Sequence, residues 1–190
     1  MITTLLADDD KMALDYLEEL VKWESYGFRI VGRATSGDDA LRLYSRLKPR
    51  LIITDVKMPA MNGLDFVAQV RQSDRTTRII FLSGYQEPAF LLTALRLGVD
   101  DYILKHELDE KSLLDKLIKI SRDLRSEENN IQLAFGKLVA DHLERDSDLP
   151  EADNTEIGRL LDRKYQAVLI EEDCILPPAA DYFGYKAPTR

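Results

Sequence analysis

The chain has 190 residues, 45% hydrophobic and 32% charged, with a formal net charge of −8. Those proportions exclude a disordered chain, and the length allows one domain with an extension or two small domains. Residues 1–125 hold 19 basic and 20 acidic residues, and residues 126–190 hold 7 and 14, so the C-terminal part is too acidic for DNA binding, which rests on phosphate contacts.

The first strand is expected over Ile2–Ala7, running straight into Asp8, Asp9 and Asp10. Its apolar run is too short for a signal-peptide core and lacks a basic leader. No apolar stretch approaches the roughly 20 residues of a membrane helix. The single cysteine, Cys174, excludes an intrachain disulfide and a cysteine metal cluster. A cytoplasmic location with no membrane partner is the expectation.

An amphipathic segment follows, with Leu14, Leu17, Leu20 and Val21 on one face. Phe28–Ala34 reads as the second strand. Ser36 and Asp39 then form a capping-box pattern, with Asp in place of the usual Glu or Gln, ahead of a helix presenting Ala40, Leu41, Tyr44 and Leu47. Pro49 ends that helix. Leu51–Thr54 is the third strand, and Asn62-Gly63 marks the turn before a helix carrying Phe66, Val67 and Val70. The fourth strand is Ile79–Leu82, and its helix carries Phe90, Leu91, Ala94 and Leu95 before Gly98. Tyr102–Leu104 is the fifth strand, followed by a helix with Leu113, Leu114, Leu117 and Ile118. Continuous apolar strands alternating with helices predict an α/β fold, a doubly wound five-stranded parallel sheet.

The fifth helix does not stop cleanly. A 3,4 spacing continues through Leu114, Leu117, Ser121, Leu124, Glu128, Ile131, Phe135, Leu138 and His142. It reads as a linker helix able to pair with a second copy, as an ordinary helix that folds back on its own chain, or as two helices broken at Asn129-Asn130. Residues 146–156 are acidic and turn-rich. Beyond them a short helical pattern (Ile157, Leu160, Leu161), a strand-like run at 167–170 and a proline- and aromatic-containing end hold too few apolar residues for an independent core. The expected organisation is a domain over 1–122, a helical linker and possible coiled coil over 123–145, and a partial or docked segment over 146–190.

Chemistry concentrates at the C-terminal ends of the strands. Asp8 and Asp9 follow the first, Asp55 the third, Ser83 the fourth and Lys105 the fifth. With strand order 2-1-3-4-5, these tips line one edge at the switch point where ligands of open α/β sheets bind. Singly, each has a plainer reading. The acidic triple can cap the helix beginning near Lys11, Asp55 and Ser83 can be loop residues, and Lys105 a surface lysine. Jointly, three converging carboxylates call for a hard divalent cation, and Mg²⁺ suits a site with few protein ligands. A lysine makes sense there if a phosphoryl group arrives, because its transfer needs positioning and charge neutralisation, with Asp55 as the nucleophile.

The strings Ala7-Asp8-Asp9-Asp10, Thr54-Asp55-Val56-Lys57-Met58-Pro59, Asn62-Gly63, Ser83-Gly84 and Asp101-Tyr102-Ile103-Leu104-Lys105 resemble the receiver domains of two-component response regulators over residues 1 to about 122. That resemblance implies a flavodoxin-like fold and phosphorylation of Asp55 by a sensor histidine kinase. It implies Mg²⁺ bound by Asp9, Asp55 and the Lys57 carbonyl, with Asp8 acting through water. Ser83 and Tyr102 would be the switch pair. Dimerisation would use the fourth helix, fifth strand and fifth helix, or the linker helix. Trp23-Glu24-Ser25-Tyr26-Gly27-Phe28 and Ser83-Gly84-Tyr85 resemble the receivers of AraC-type transcriptional regulators. This implies a transcriptional output whose DNA-binding domain is missing from this chain.

Two departures from the family pattern bear on the site. His106 stands where the family has a proline, often cis; a non-proline cis bond costs about 2.5–4 kcal/mol, so a trans Lys105–His106 peptide is expected. Lys57 and Tyr85, two residues after Asp55 and Ser83, flank the path of the hydrolysing water in the resemblance and are expected to prolong the phosphorylated state. The rival readings are a stand-alone interaction module and a Mg²⁺-dependent aspartyl phosphohydrolase. Lys57 argues against the second, because it occupies the place of that enzyme's second acid. A nucleotide site lacks its Gly-rich loop. Catalysis is expected to be limited to self-phosphorylation and self-dephosphorylation.

Overall fold

Strands form over Ile2–Ala7 (β1), Phe28–Ala34 (β2), Leu51–Asp55 (β3), Arg78–Ser83 (β4) and Asp101–Leu104 (β5). Helices form over Lys11–Leu20 (α1), Gly37–Leu47 (α2), Gly63–Ser73 (α3), Pro88–Arg96 (α4) and Glu110–Leu143 (α5). The computed structural model describes residues 1–84 and 87–143, with side chains as far as Phe135. Tyr85, the side chains of Leu138 and His142, and residues 146–190 lie outside the described residues. Residues Met1–Glu128 make one unit and those from Asn129 onward a second; the fold is that of the first. No helix among the described residues is long and apolar enough to cross a membrane.

All strands are parallel, in the order β2-β1-β3-β4-β5. The fold is the expected flavodoxin-like, doubly wound five-stranded sheet with helices on both faces. Alternation along each strand divides the core in two. Ile53, Ile80 and Leu82 face α1 and α5, together with Leu14, Leu17, Trp23 and Phe28. Ile52, Ile79 and Phe81 face the other side, with Ala40, Tyr44, Phe66, Val67 and Val70 from α2 and α3. Both faces of β3 are therefore dry, which explains its unbroken apolar run.

Side-chain caps start three of the helices where the sequence placed them. Asp10 accepts from the Met12 N–H, Ser36 from the Asp39 N–H and Asn62 from the Asp65 N–H. Two helical stripes differ from expectation. On α4 only Ala94 is fully buried and Phe90 is partly so; Leu91 and Leu95, expected on the same stripe, are 45% and 64% exposed. The sheet-facing line is Phe90, Ala94 and Leu97, and a further 100° of helical turn carries Leu91 and Leu95 into water. On α5 the core line is Leu113, Leu117, Ile120 and Leu124, leaving Ile118 exposed. Leu117 and Leu124, two members of the proposed pairing seam, are already used by the domain's own core.

Candidate functional site

The parallel order makes β1 and β3 neighbours, with Ala7 opposite Thr54. Asp8 and Asp55 thus leave the sheet side by side, and Ser83 follows Leu82, the β4 partner of Asp55. Lys105 follows Leu104, the β5 partner of Ser83. The topology, rather than any local motif, assembles the five residues.

The acidic triple divides its work. Asp10 caps α1, while Asp8 turns inward, fully buried, and its Oδ1 accepts the Asp10 N–H at 3.0 Å. Asp9 stays exposed at the rim. One ligand oxygen each from Asp8, Asp9 and Asp55 lies within 4.8 Å of the others.

Asp55 is 7% exposed. Its Oδ1 accepts the Val56 N–H at 2.7 Å, and its Oδ2 meets the Lys105 ammonium at 3.0 Å. The same ammonium stands 2.7 Å from Asp8 Oδ2. Burial raises the Asp55 pKa, against the lowering by Lys105, and the Asp8 charge adds to the rise. Burial alone would lower that of Lys105; the Asp8 and Asp55 carboxylates outweigh it and hold the ammonium charged. One cation therefore serves two buried carboxylates, with the Asp9 carboxylate close by them.

That shortfall sets the fit for a metal. Asp8 Oδ2 is buried without an aligned hydrogen bond, despite the nearby ammonium. The one cation that meets it, the Lys105 ammonium at 2.7 Å, is shared with Asp55 at 3.0 Å, so the buried carboxylates together lack full charge compensation. Hard oxygen donors with an exposed rim at Asp9 match Mg²⁺, which takes few carboxylates and keeps several waters. The residues fit the group.

The backbone around Asp55 is packed to close tolerance. Gly63 N–H donates to Val56 O at 2.9 Å, and a Cβ on Gly63 would stand 1.9 Å from Asp55 O. Gly37 N–H holds Met61 O at 3.1 Å, and a Cβ there would stand 2.3 Å from that oxygen. The segment between β3 and α3 is pinned at both ends. Sequence reasoning read Gly63 as a turn residue only. A close approach between segments leaves no local signal beyond the glycine itself.

Ser83 is fully buried at the tip of β4. Tyr102 lies on β5 opposite Phe81, with ring centroids 6.4 Å apart. The Lys57 ammonium reaches Glu87 Oε1 at 3.0 Å and lies 5.1 Å from the centroid of the Phe90 ring. Sequence reasoning did not single out Glu87. The Lys105–His106 peptide is trans, as expected, and enters a short 3-10 turn over Lys105–Glu107 with His106 exposed.

The family model described as the response regulator receiver domain matches residues 4–118. The transcriptional regulatory protein YesN of Bacillus subtilis is 34% identical over 144 residues, covering 75% of this chain and 39% of that protein. The chemotaxis protein CheY of Thermotoga maritima is 29% identical over 118 residues, covering 62% of this chain and 96% of that one. The receiver (REC) domain of AraT, a response regulator from Geobacillus stearothermophilus, superposes with a TM-score of 0.63 at 30% identity, over 67% of this chain and 99% of that domain. The chain spans about two fifths of the length of the first curated relatives it matches.

Proposed function

The chain belongs to the response regulator receiver family of two-component systems, and from that premise we propose that Asp55 is its phosphoacceptor and that a sensor histidine kinase is the donor. An Asp55 oxygen forms the new O–P bond as the P–N bond to the donor imidazole breaks, and the electron pair leaves with that nitrogen. Receiver domains bind Mg²⁺ at an acidic pocket, and here Asp9, Asp55 and the Lys57 carbonyl would hold it, with Asp8 acting through water. When bound, Mg²⁺ supplies charge neutralisation on the transferring phosphoryl oxygens.

The chain's own residues do the rest. The Val56 N–H fixes one Asp55 oxygen, which orients the carboxylate for attack. Lys105 is held charged beside it and would meet the incoming phosphoryl as an ion pair. Ser83 would hydrogen-bond the same group, and Tyr102 would follow it inward as the second half of the switch. Lys57, with Tyr85, would narrow the approach of hydrolysing water. The observation that carries this reading is the Lys105 ammonium within 3.0 Å of both Asp8 and Asp55, beside the Asp9 carboxylate.

Control of transcription is the output that the description of YesN supports. An AraC-type DNA-binding region would lie outside the described residues. Homodimerisation through α4, β5 and α5, or through the helix beyond the receiver unit, would couple the switch to it. Incubation with acetyl phosphate and Mg²⁺, followed by mass measurement, tests the central step. Wild type is expected to gain one phosphoryl and Asp55→Ala none; equal uptake by the two would place the acceptor elsewhere.

A further inference from the structure

α4 is held to the domain unevenly. Ala94 is its one fully buried residue. Beyond its C-terminus, Arg71 of α3 donates from Nε to Leu97 O at 3.1 Å and from Nη2 to Gly98 O at 3.3 Å. These are bonds to neutral carbonyls, indifferent to charge arriving at the far edge of the sheet. At the N-terminus Glu87 is the cap residue, yet its side chain makes no capping bond to the helix. It pairs with the Lys57 ammonium at 3.0 Å, and the same ammonium lies 5.1 Å from the centroid of the Phe90 ring. One lysine thus grips both the residue before α4 and its first turn.

Lys57 stands two residues after Asp55, on the pinned segment between β3 and α3. Its side chain is 45% exposed and that of Glu87 48%. An exposed pair is worth little, so a modest change in local charge can redirect it. Phosphorylation, as read above, replaces one carboxylate charge on Asp55, two residues before Lys57 in the chain, by a group carrying close to two.

We propose that Lys57 is an electrostatic latch on the N-terminus of α4: it binds Glu87 and Phe90 while Asp55 is unmodified, and the phosphoryl charge on Asp55 draws it away, so that α4 loosens at its N-terminal end and hinges about the carbonyls held by Arg71. The release rests on the phosphoacceptor reading; the grip itself does not. Lys57→Met and Glu87→Gln cut the link from opposite sides. Both leave the Lys57 carbonyl in place, and neither removes a capping bond.

Hydrogen exchange over residues 88–94 reads the latch in the full chain, before and after acetyl phosphate with Mg²⁺, with phosphoryl uptake measured by mass on the same samples. Unmodified Lys57→Met and Glu87→Gln are each expected to exchange there about two- to fivefold faster than wild type, the scale of one exposed ion pair. The double variant should be no faster than either single one, and α3 should be unchanged in all. Phosphorylated wild type should reach the rate of the variants. Wild-type rates in both single variants, or additive effects in the double one, overturn the latch. Phosphoryl uptake with residues 88–94 still slow overturns the release alone. No uptake by wild type overturns the phosphoacceptor reading and the release with it.

Discussion

Lys105 answers for more charge than one ammonium can neutralise, and that imbalance governs what its loss does. Lys105→Met leaves Asp8 and Asp55 buried together without a counter-charge. Breaking a buried pair costs about 3–5 kcal/mol, and because Lys105 keeps 30% of its side chain in water the loss should be about 3 kcal/mol or less. Urea denaturation in EDTA measures it, and millimolar Mg²⁺ should restore more stability to the variant than it adds to wild type. A second charged residue works far from this edge. Asp74 accepts the Tyr44 hydroxyl at 2.8 Å, the Thr76 N–H at 2.6 Å and the Thr77 N–H at 3.1 Å. Burial works to raise its pKa, but the bonds from Thr77 and Thr76 hold it well below the usual carboxylate range. A depressed folded-state pKa gives stability that is complete above the unfolded value, about 3.9, and is lost as pH falls toward the folded value. Asp74→Asn should therefore cost about 1.5–3 kcal/mol at pH 7. The gap from wild type should narrow steadily below about pH 4 in denaturation curves, and a gap independent of pH would refute the assignment.

At the scale of elements, the helices separate what period alone predicts from what packing decides. On α5 the core line Leu113, Leu117, Ile120 and Leu124 predicts that Leu117→Ala costs about 2–5 kcal/mol through the cavity it leaves. Ile118→Ala, one position on and 43% exposed, should stay within about 0.5 kcal/mol of wild type. Equal losses in thermal unfolding would mean that the helix is rotated from this face. The strands were legible because their apolar runs have a single use, burial on both faces. Their ends moved by a residue or so where Asp55, Arg78, Ser83 and Asp101 continue the ladder with polar side chains. The stripe on α4 was legible only as apolarity, since four apolar positions in a turn and a half cannot say which edge meets the sheet. The convergence of Asp8, Asp9, Asp55 and Lys105 was readable once strand order was assumed. The grip of Lys57 on Glu87 was not, because surface ion pairs across loops obey no spacing.

For the whole molecule, the question is where the receiver's own stability ends along α5. The family model stops at residue 118 and the sequence reading at about 122, but the interactions run further. Leu124 is buried in the core on the α1 side of the sheet. Glu127 pairs with Arg78, itself bonded to Asp100 at 2.9 Å, and Glu128 pairs with Arg50. The two glutamate pairs are surface contacts of small worth, whereas Leu124 is a core side chain whose loss opens a cavity. A chain ending after residue 128 keeps all of them, and one ending after residue 122 loses Leu124 and both glutamate pairs and keeps only Arg78–Asp100. Chemical denaturation should therefore show the longer piece folding cooperatively, with the shorter one less stable by about 2–5 kcal/mol, nearly all of it from Leu124. Leu124→Ala within the longer piece should reproduce most of that difference, whereas Glu127→Gln and Glu128→Gln should each account for less than about 1 kcal/mol. If the two glutamate variants instead carried the loss, the end of the unit would be set by charge, and its stability would fall with added salt; a boundary set by the core will not.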